Sequence, residues 1–176
     1  MEIIHENEYL YKMNNEIEPY LATHRQEGYV PGAEDHLHQK DTGIVGKIHV
    51  QRYLAEKPKG VIIISHGFTE AAPKYDEMIY YFLKAGYHVC MPEHMGHGLS
   101  YRLTEDPSLV HIDTWKRYVR DFLKVCQMAK KEYPDMSLYL GCELHSNMDL
   151  QDILEKRKYV TMAGSSYVLL EFSEGD

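Results

Sequence analysis

Two short turns in the middle of the chain hold the residue types best suited to chemistry. The first is "SHGF", residues 65 to 68, which directly follows the apolar run "VIII". The second is "EHMGHGLS", residues 93 to 100, which follows the strand-like "YHVCMP". Turns at the carboxyl ends of strands are where open α/β sheets bind their ligands. These two segments are therefore the first candidates for a site.

The first turn offers a backbone donor. Gly67 lets the chain turn sharply at the end of a strand, where a backbone N–H can be aimed into the crevice of such a sheet. An N–H in that place can stabilise a developing oxyanion, and the backbone of Phe68 is the candidate donor. His66 is either a catalytic group or a residue that packs or hydrogen-bonds at the strand end, and we favour the second interpretation.

The second turn combines glycines with a carboxylate and two histidines: Glu93, His94, Gly96, His97 and Gly98, followed by Ser100. The pair His94-x-x-His97 beside Glu93 has the residue types of a metal site. A glycine-rich turn provides no helix to space such ligands, so we interpret the segment as a short polar loop.

Other metal and disulfide patterns are weak. Cys90, Cys126 and Cys142 are odd in number and widely spaced, with no CxxC pair, so we expect small buried hydrophobes. His36-x-His38 in "EDHLHQKD" follows no apolar strand and is interpreted as a solvated loop. No cofactor is expected.

Composition restricts the class of partner. The 176 residues include 19 basic and 27 acidic side chains, a net charge of −8 with histidine neutral. Such a chain is a poor match for nucleic acid or an anionic membrane surface, so small or neutral substrates are expected. The length fits one domain. The sequence has no apolar window of about 18 residues and no secretory pattern at its start, which predicts a cytoplasmic protein.

Strand and helix patterns alternate along the chain, which predicts the α/β class with a parallel sheet covered by helices. Residues 1 to 45 are polar, with "VPGAED" as a turn signal. The remaining predicted elements are strands at 48 to 54, 61 to 65, 87 to 94 and 137 to 140, a helix at 74 to 86 closed by Gly86, a helix at 113 to 133 capped by Asp113 or Thr114 and stopped by Pro134, a helix at 148 to 158, and a hairpin or bulged strand at 159 to 172.

The stretch "VIIISHGFTEAAPKYDEMIYYFLKAGYHVCMPEHMGHGLS" and the later "VRDFLKVCQMAKKEYPDMSLYL" resemble the first half of a monoacylglycerol lipase or lysophospholipase, serine hydrolases of the α/β-hydrolase fold. The resemblance covers roughly residues 46 to 140. In that family a strand ends in HG, a D-x-x-G-H-G-x-S turn follows the next strand, and a later strand leads into G-H-S-M-G-G.

This resemblance implies an incomplete α/β-hydrolase fold, a small ester or lipid-like substrate, and an oxyanion-hole N–H from Phe68. Glu93 stands where the family usually has aspartate. The motif turns then comprise His66, Gly67, Glu93, Gly96, His97, Gly98 and Ser100.

The match ends at the nucleophile. After "SLYL" the family has the G-x-S-x-G elbow, which exposes the serine. This chain reads "GCELHSN" instead, with Glu143 and Leu144 where the serine is expected, and the later "GSSYV" lacks the second glycine. The last histidine is His145, so the later base of the Ser, Asp, His order has no counterpart. The sequence therefore predicts no catalytic residue and no ester turnover.

The last part, roughly residues 138 to 176, resembles an internal segment of bacterial tyrosine phosphatases of the polymerase-and-histidinol-phosphatase type. Those proteins have a strand running into G-x-E, a short helix, and T-x-x-G-S-x-Y-V-L-x-E-F. By that resemblance Glu143 would be a metal ligand, although a lone carboxylate does not hold a metal cluster. We expect a truncated α/β-hydrolase domain at 1–140 and a non-homologous tail at 141–176, joined by gene fusion or by an error in assembling sequence reads.

Three functions stay open at this point. One is a truncated serine hydrolase without turnover, the second is a non-catalytic binding or interaction module, and the third is a fragment of a metal-dependent tyrosine phosphatase. The "SLYL" strand would leave an apolar edge, from which self-association is expected. The tail would reduce that exposure if its helix and strand docked there as a βαβ-like unit.

Overall fold

Helices cover both faces of a six-stranded mixed sheet in the computed structural model, which describes residues 4–32, 46–143 and 167–172. β3 is parallel to β4 and to β5, and the other neighbouring pairs are antiparallel. The predicted α/β class is confirmed. In the spatial order β1-β2-β4-β3-β5-β6, the strands are β1 (Arg25–Pro31), β2 (Lys47–Tyr53), β3 (Val61–Ser65), β4 (His88–Pro92), β5 (Leu138–Glu143) and β6 (Tyr167–Phe172).

The central strand β3 is apolar on both faces. Its residues Val61 to Ile64 are at most 1% exposed. Successive side chains of a strand point to opposite faces, so Ile62 and Ile64 enter one core cluster while Val61 and Ile63 enter the other. The uninterrupted apolar run is what a parallel strand needs when it is covered on both sides, as the sequence predicted.

The two predicted helices each cover one face. α3 (Asp76–Lys84) follows a 3₁₀ turn at Ala72–Tyr75 and packs in the cluster of Ile62, whereas α4 (Trp115–Glu132) packs in the cluster of Ile63. Thr114 caps α4, because its hydroxyl accepts the N–H of Lys116 at 3.4 Å. No helix within the described ranges has the length and apolar composition needed to cross a membrane.

The amino-terminal region forms structure that the sequence pattern did not predict. A 3₁₀ turn (Glu6–Glu8), α1 (Tyr9–Lys12), a π-helical turn (Met13–Ile17) and α2 (Glu18–His24) lead into β1. Met13, Ile17 and Leu21 are buried in the same cluster as α3. Their spacing of four residues is a helical stripe, but it is narrow and lies among glutamates and tyrosines, so the composition concealed it.

β6 lies beside β5, but in the opposite direction to the one expected. Glu143 pairs with Tyr167 and Leu138 pairs with Phe172, so the strands are antiparallel and the predicted βαβ-like unit is wrong. The first residue of β6 pairs with the last residue of β5, so β6 runs back along β5 in the opposite direction. The edge of β5 is therefore paired, and the edge strands of the described sheet are β1 and β6. The predicted helix at 148 to 158 and the pair His36 and His38 lie outside the described residues.

Two cysteines behave as small core residues. Cys90 on β4 and Cys126 on α4 are buried in the cluster beneath α4. Burial raises the pKa of each thiol to about 12, so neither is a reactive thiolate at neutral pH. The expectation of buried hydrophobic cysteines is confirmed for these two, while the side chain of Cys142 lies outside the described part.

Candidate functional site

The two polar turns meet at one end of the sheet. Because β3, β4 and β5 are parallel, the segments that follow them leave from the same edge. The connections carrying α3 and α4 cover opposite faces, the arrangement in which open α/β sheets bind ligands in a crevice beyond the strand ends. There the ring centres of His94 and His97 lie 4.4 and 4.8 Å from that of His66.

Two of these histidines accept a backbone N–H from the opposite turn. His66 Nε2 accepts the N–H of His94 at 2.9 Å while its Nδ1 donates to Gly67 O at 2.8 Å. His97 Nε2 accepts the N–H of Thr69 at 3.1 Å, and its Nδ1 donates to a carbonyl of its own turn at 3.1 Å. A backbone amide can only donate, so both acceptor nitrogens are unprotonated and both rings are neutral. These bonds fasten the two turns together.

The third histidine is held between β3 and α4. His94 Nε2 is 2.8 Å from Ser65 Oγ, and its ring stacks on Tyr118 with the centroids 5.1 Å apart. Burial, together with the neighbouring rings of His66 and His97, lowers the pKa of His94 to about 3. Burial also lowers the pKa of His66. Both side chains are therefore neutral at neutral pH.

The turn after β3 presents three consecutive backbone N–H groups, and two of them are occupied. The N–H of Gly67 donates to Glu70 Oε2 at 2.8 Å and to the Tyr75 hydroxyl at 3.2 Å, and the N–H of Thr69 donates to the second turn. The N–H of Phe68 has no partner among the described residues. It is thus the donor left for a ligand, and its role in an oxyanion hole stays a prediction.

Glu93 fastens the second turn to β2. This buried carboxylate accepts a hydrogen bond from His49 Nδ1 at 2.9 Å and from the N–H of Leu99 at 2.8 Å. The Ser100 hydroxyl donates to Glu93 O at 2.6 Å and accepts the N–H of His49 at 2.8 Å. Glu93 and Ser100 therefore set the shape of the turn, and their side chains face the sheet.

Two glycines let this turn close. Gly96 and Gly98 have φ angles of 80° and 46°, in the left-handed region that favours glycine. A Cβ at Gly98 would lie 2.2 Å from the carboxylate of Glu93, so the position has no room for a side chain. The closeness of Gly98 to Glu93 is a packing requirement that the sequence motif alone does not reveal.

The two histidines of the second turn are engaged within the protein. The Nε2 of His94 faces Ser65 and that of His97 faces Thr69. Over the ranges that the structure describes, no group of three or more His, Cys, Asp or Glu side chains could hold a metal ion. The polar-loop interpretation therefore accounts for these histidines, while the side chain of Glu143 lies outside the described part.

β5 brings the position of the expected nucleophile to the same crevice. Its backbone is in register with β3, so that Cys142 lies opposite Ser65, and Glu143 is the last residue of the strand. The family's serine would follow Gly141 by two residues, which is the position of Glu143. The structure thus locates the elbow position beside the turn after β3, where this chain has glutamate.

Sequence reasoning identified both turns but missed their supporting partners. His49 had a signal, because it alternates with the core-facing Ile48 and Val50 and so lies on the other face of β2. The other partners gave no such signal, because the pattern around each is already explained by the strand, turn or helix that contains it. They are Ser65, Glu70, Tyr75 and Tyr118. Ser65 contacts His94 from 29 residues away and Tyr118 contacts Met95 from 23, separations that no local pattern encodes. Glu70 and Tyr75 contact Gly67 from only three and eight residues away.

The parallel β4-β3-β5 core, with an HG turn after β3 and an E-x-x-G-H-G-x-S turn after β4, defines the first half of an α/β-hydrolase. The family model described as serine aminopeptidase, S33, matches residues 56–144, half of the chain. The chain belongs to this family of hydrolases.

Relatives in sequence are lipid hydrolases by name. Lysophospholipase L2 of Escherichia coli (strain K12) is 32% identical over 89 residues, which are 51% of this chain and 26% of that protein. Monoglyceride lipase of Mus musculus is 32% identical over 83 residues, 47% of this chain and 26% of that protein. The chain therefore spans about a quarter of the length of the curated relatives it matches.

Solved structures share the fold. A soluble variant of monoglyceride lipase from Saccharomyces cerevisiae, in complex with a substrate analogue, aligns with a TM-score of 0.53 and 13% identity over 67% of this chain and 34% of its own. A thermostable carboxyl esterase from Bacillus coagulans aligns with a TM-score of 0.53 and 21% identity over 66% of this chain and 35% of its own. Identities at this level show the fold alone.

We expect Gly98→Ala to lower the free energy of unfolding by at least about 2 kcal/mol, because the new Cβ must displace a buried carboxylate that accepts two hydrogen bonds. Urea unfolding measures the change. The control is Gly28→Ala in β1, where the nearest atom to a Cβ is a side-chain nitrogen of Arg52 at 3.6 Å. That variant should differ from the parent by less than about 0.5 kcal/mol. Equal losses in both variants would contradict the crowding at Gly98.

Stability should fall as the pH drops below the ordinary histidine pKa. The folded pKa of His94 is lowered to about 3, so the unfolded chain binds the proton first. The contribution of this histidine is fully present above about pH 6.5 and is lost toward pH 3, at about 1.4 kcal/mol per pH unit.

Urea midpoints between about pH 7 and pH 5 test this, in the window where histidines dominate the titration. The pH dependence should shrink in His94→Gln and persist in His111→Gln, which removes an exposed histidine. If His94→Gln does not fold, the ring signals of His94 in the parent chain give the answer by NMR. A ring that titrates at the ordinary histidine pKa would contradict the prediction.

Proposed function

We propose that this chain carries the oxyanion-hole half of a serine hydrolase for lipid esters, of the lysophospholipase or monoacylglycerol lipase type, and that by itself it does not turn esters over. The observation that carries the proposal is the meeting of the "SHGF" and "EHMGHGLS" turns at the end of β3, with the N–H of Phe68 left without a described partner. The names of the relatives matched in sequence support lipid esters as the substrate class.

The geometry supports a rigid donor. The N–H groups on both sides of Phe68 are bound, and the two turns are joined through His66 and His97. A donor held in this way needs no reorganisation when charge develops on an ester oxygen, which is the condition for electrostatic stabilisation. One such donor typically contributes about 10²- to 10³-fold in turnover where a nucleophile is present.

The nucleophile itself has no candidate at the elbow. Glu143 stands where G-x-S-x-G requires serine. Ser65 and His94 do lie 2.8 Å apart, but a histidine whose pKa is lowered to about 3 is a weak base at neutral pH. We therefore assign this pair to the support of the turns and not to acyl transfer.

A non-catalytic binding module is the second candidate function. Within the described residues, no buried side-chain nitrogen or oxygen lacks a hydrogen-bond partner. The described side chains of the two turns are thus fully hydrogen-bonded without a serine at the elbow, which supports a module that binds but does not hydrolyse. The two candidates share the crevice and differ in turnover.

We expect the full chain to show no hydrolysis of p-nitrophenyl butyrate above the buffer rate and no labelling by a fluorophosphonate, because loss of a triad serine alone costs on the order of a millionfold. The carboxyl esterase from Bacillus coagulans under the same conditions is the positive control. Turnover by this chain would contradict the proposal. Turnover that Ser65→Ala removes would place the nucleophile on β3.

The donor role of Phe68 has its own test, a titration with decanoate followed in ¹H–¹⁵N NMR spectra. The amide of Phe68 should shift with saturation, and the amides of Gly67 and Thr69 should shift less because they are already bonded. Phe68→Ala keeps the N–H and should keep the shift at position 68. Loss of binding in that variant would assign the effect to the aromatic ring and contradict the backbone role.

A further inference from the structure

A cavity of about 50 Å³ lies between the sheet and α4, at the opposite end of the sheet from the candidate site. Val61 and His88, the first residues of β3 and β4, line it together with Tyr133, the residue that follows α4. β3 and β4 are parallel, so their first residues mark the same end of the sheet, whereas the two polar turns leave from their carboxyl ends. The cavity is therefore separate from the candidate site.

The walls of the cavity are apolar on two sides. Val50, Val61 and Cys90 line it from the sheet, and Val125 and Ala129 line it from α4. All five belong to the core cluster beneath α4 and are at most 7% exposed. Enclosed spaces with walls of this kind favour an apolar ligand over water.

Gly28 on β1 provides part of the room. It pairs with Val50, so both positions face the same side of the sheet, toward α4. The nearest atom to a Cβ at Gly28 would be a side-chain nitrogen of Arg52 at 3.6 Å, an ordinary contact distance. A larger side chain at this position would therefore enter the cavity, whereas glycine leaves it open.

His88 places a ring nitrogen with a known proton at the cavity. It lies two residues before Cys90 on β4, so its side chain points to the same face of the sheet. Its Nδ1 accepts the N–H of Ala55 at 3.0 Å, and a backbone amide can only donate. Nδ1 therefore carries no proton, the ring is neutral, and its proton is on Nε2. Burial lowers the pKa of His88, in agreement with a neutral ring.

The Nε2–H of His88 is available to a ligand. No described residue accepts a hydrogen bond from it, although His88 is only 8% exposed and its ring lies 5.0 Å from that of Tyr133. Every fully enclosed side-chain nitrogen or oxygen in the described ranges has a partner. Nε2 therefore reaches an open surface, and we assign that surface to the cavity that His88 lines.

An ion pair lies at the outer side of the cavity. Arg52 Nη1 on β2 donates to Glu132 Oε2 at the end of α4, at 3.0 Å, and both residues line the cavity. Their side chains are 34% and 44% exposed, so the pair lies toward solvent. Because the two charges compensate each other, the cavity presents no net charge to a ligand.

We propose that this cavity binds a small neutral molecule that is mainly apolar and has one hydrogen-bond acceptor, such as a short ketone or ether. The apolar walls contact its hydrocarbon part, and the Nε2–H of His88 donates to its oxygen. An engineered cavity of about 150 Å³ binds benzene, so about a third of that volume suits a molecule of the size of acetone. The proposal does not depend on the proposed function.

Xenon and acetone test the cavity in the full, isotope-labelled chain by NMR. Xenon contacts apolar walls alone, and acetone adds the acceptor. We expect saturable shifts of the methyl signals of Val50, Val61 and Val125 with both ligands. The Nε2 signal of His88 should shift with acetone in a way that xenon does not reproduce. A ligand of four non-hydrogen atoms binds weakly at best, so acetone is followed to roughly 0.5 M.

Two variants separate the space from the donor. Gly28→Val fills the space and should abolish the shifts from both ligands. Its matched control is Gln26→Val, on the same face of β1 but not among the lining residues, which should keep them. His88→Asn keeps an acceptor near the place of Nδ1 for the N–H of Ala55 and removes the donor. Acetone should then bind roughly five- to tenfold more weakly, and xenon should bind as in the parent chain.

Each part of the proposal can be overturned separately. Absence of saturable shifts with xenon, or shifts that persist in a folded Gly28→Val variant, would exclude the cavity as a binding site. Equal affinity of the parent chain and His88→Asn for acetone would exclude the donor, and this comparison decides even where Gly28→Val does not fold. Tighter binding of acetate than of acetone would exclude a neutral ligand, because Arg52 would then leave Glu132 for an anion.

Discussion

The candidate site depends on the burial of β3 on both faces. A strand whose residues Val61 to Ile64 are all buried must be covered by helices on both sides, so α3 and α4 have to occupy opposite faces. Helices on opposite faces separate the connections that follow β3 and β4, and this is the end at which open α/β sheets bind their ligands. The location of the candidate site thus follows from the apolar pattern of one strand.

At the candidate site, neutral histidine side chains hold the two turns together, as backbone hydrogen bonds hold neighbouring strands together. The hydrogen bonds between strands stop past the end of β3, and there His66 and His97 each accept a backbone N–H from the opposite turn. An imidazolium could not accept these bonds, and its burial would be unfavourable as well. The fold and the protonation state of the site are therefore coupled, and the position of the Phe68 N–H depends on both.

Local pattern was sufficient for β2, β3, β4 and the two long helices, because each has a strong apolar period of its own. It failed for the amino-terminal helices, whose stripe of Met13, Ile17 and Leu21 is diluted by charged and aromatic residues. It also failed for the direction of β6, since an apolar strand fits a neighbour in either direction and only the connection decides. In the site, glycines and motif order located both turns, whereas the contact from His49 to Glu93 joins residues 44 apart and had to be seen in three dimensions.

The end of β5 separates the generic requirements of a fold from the specific requirements of a catalytic motif. A buried strand requires only apolar side chains and neighbouring strands that pair with its backbone. The "LYL" segment has both, since Leu138 lies in the core and the backbone pairs with β3 and β6. The family match extends to residue 144 and so includes β5, while the phosphatase-like origin predicted for residues 138–176 stays a prediction. A nucleophile elbow demands particular residues in a strained turn, and "GCEL" does not supply them. The requirements of the strand and of the elbow are therefore separate, and the sequence at the end of β5 meets only the first.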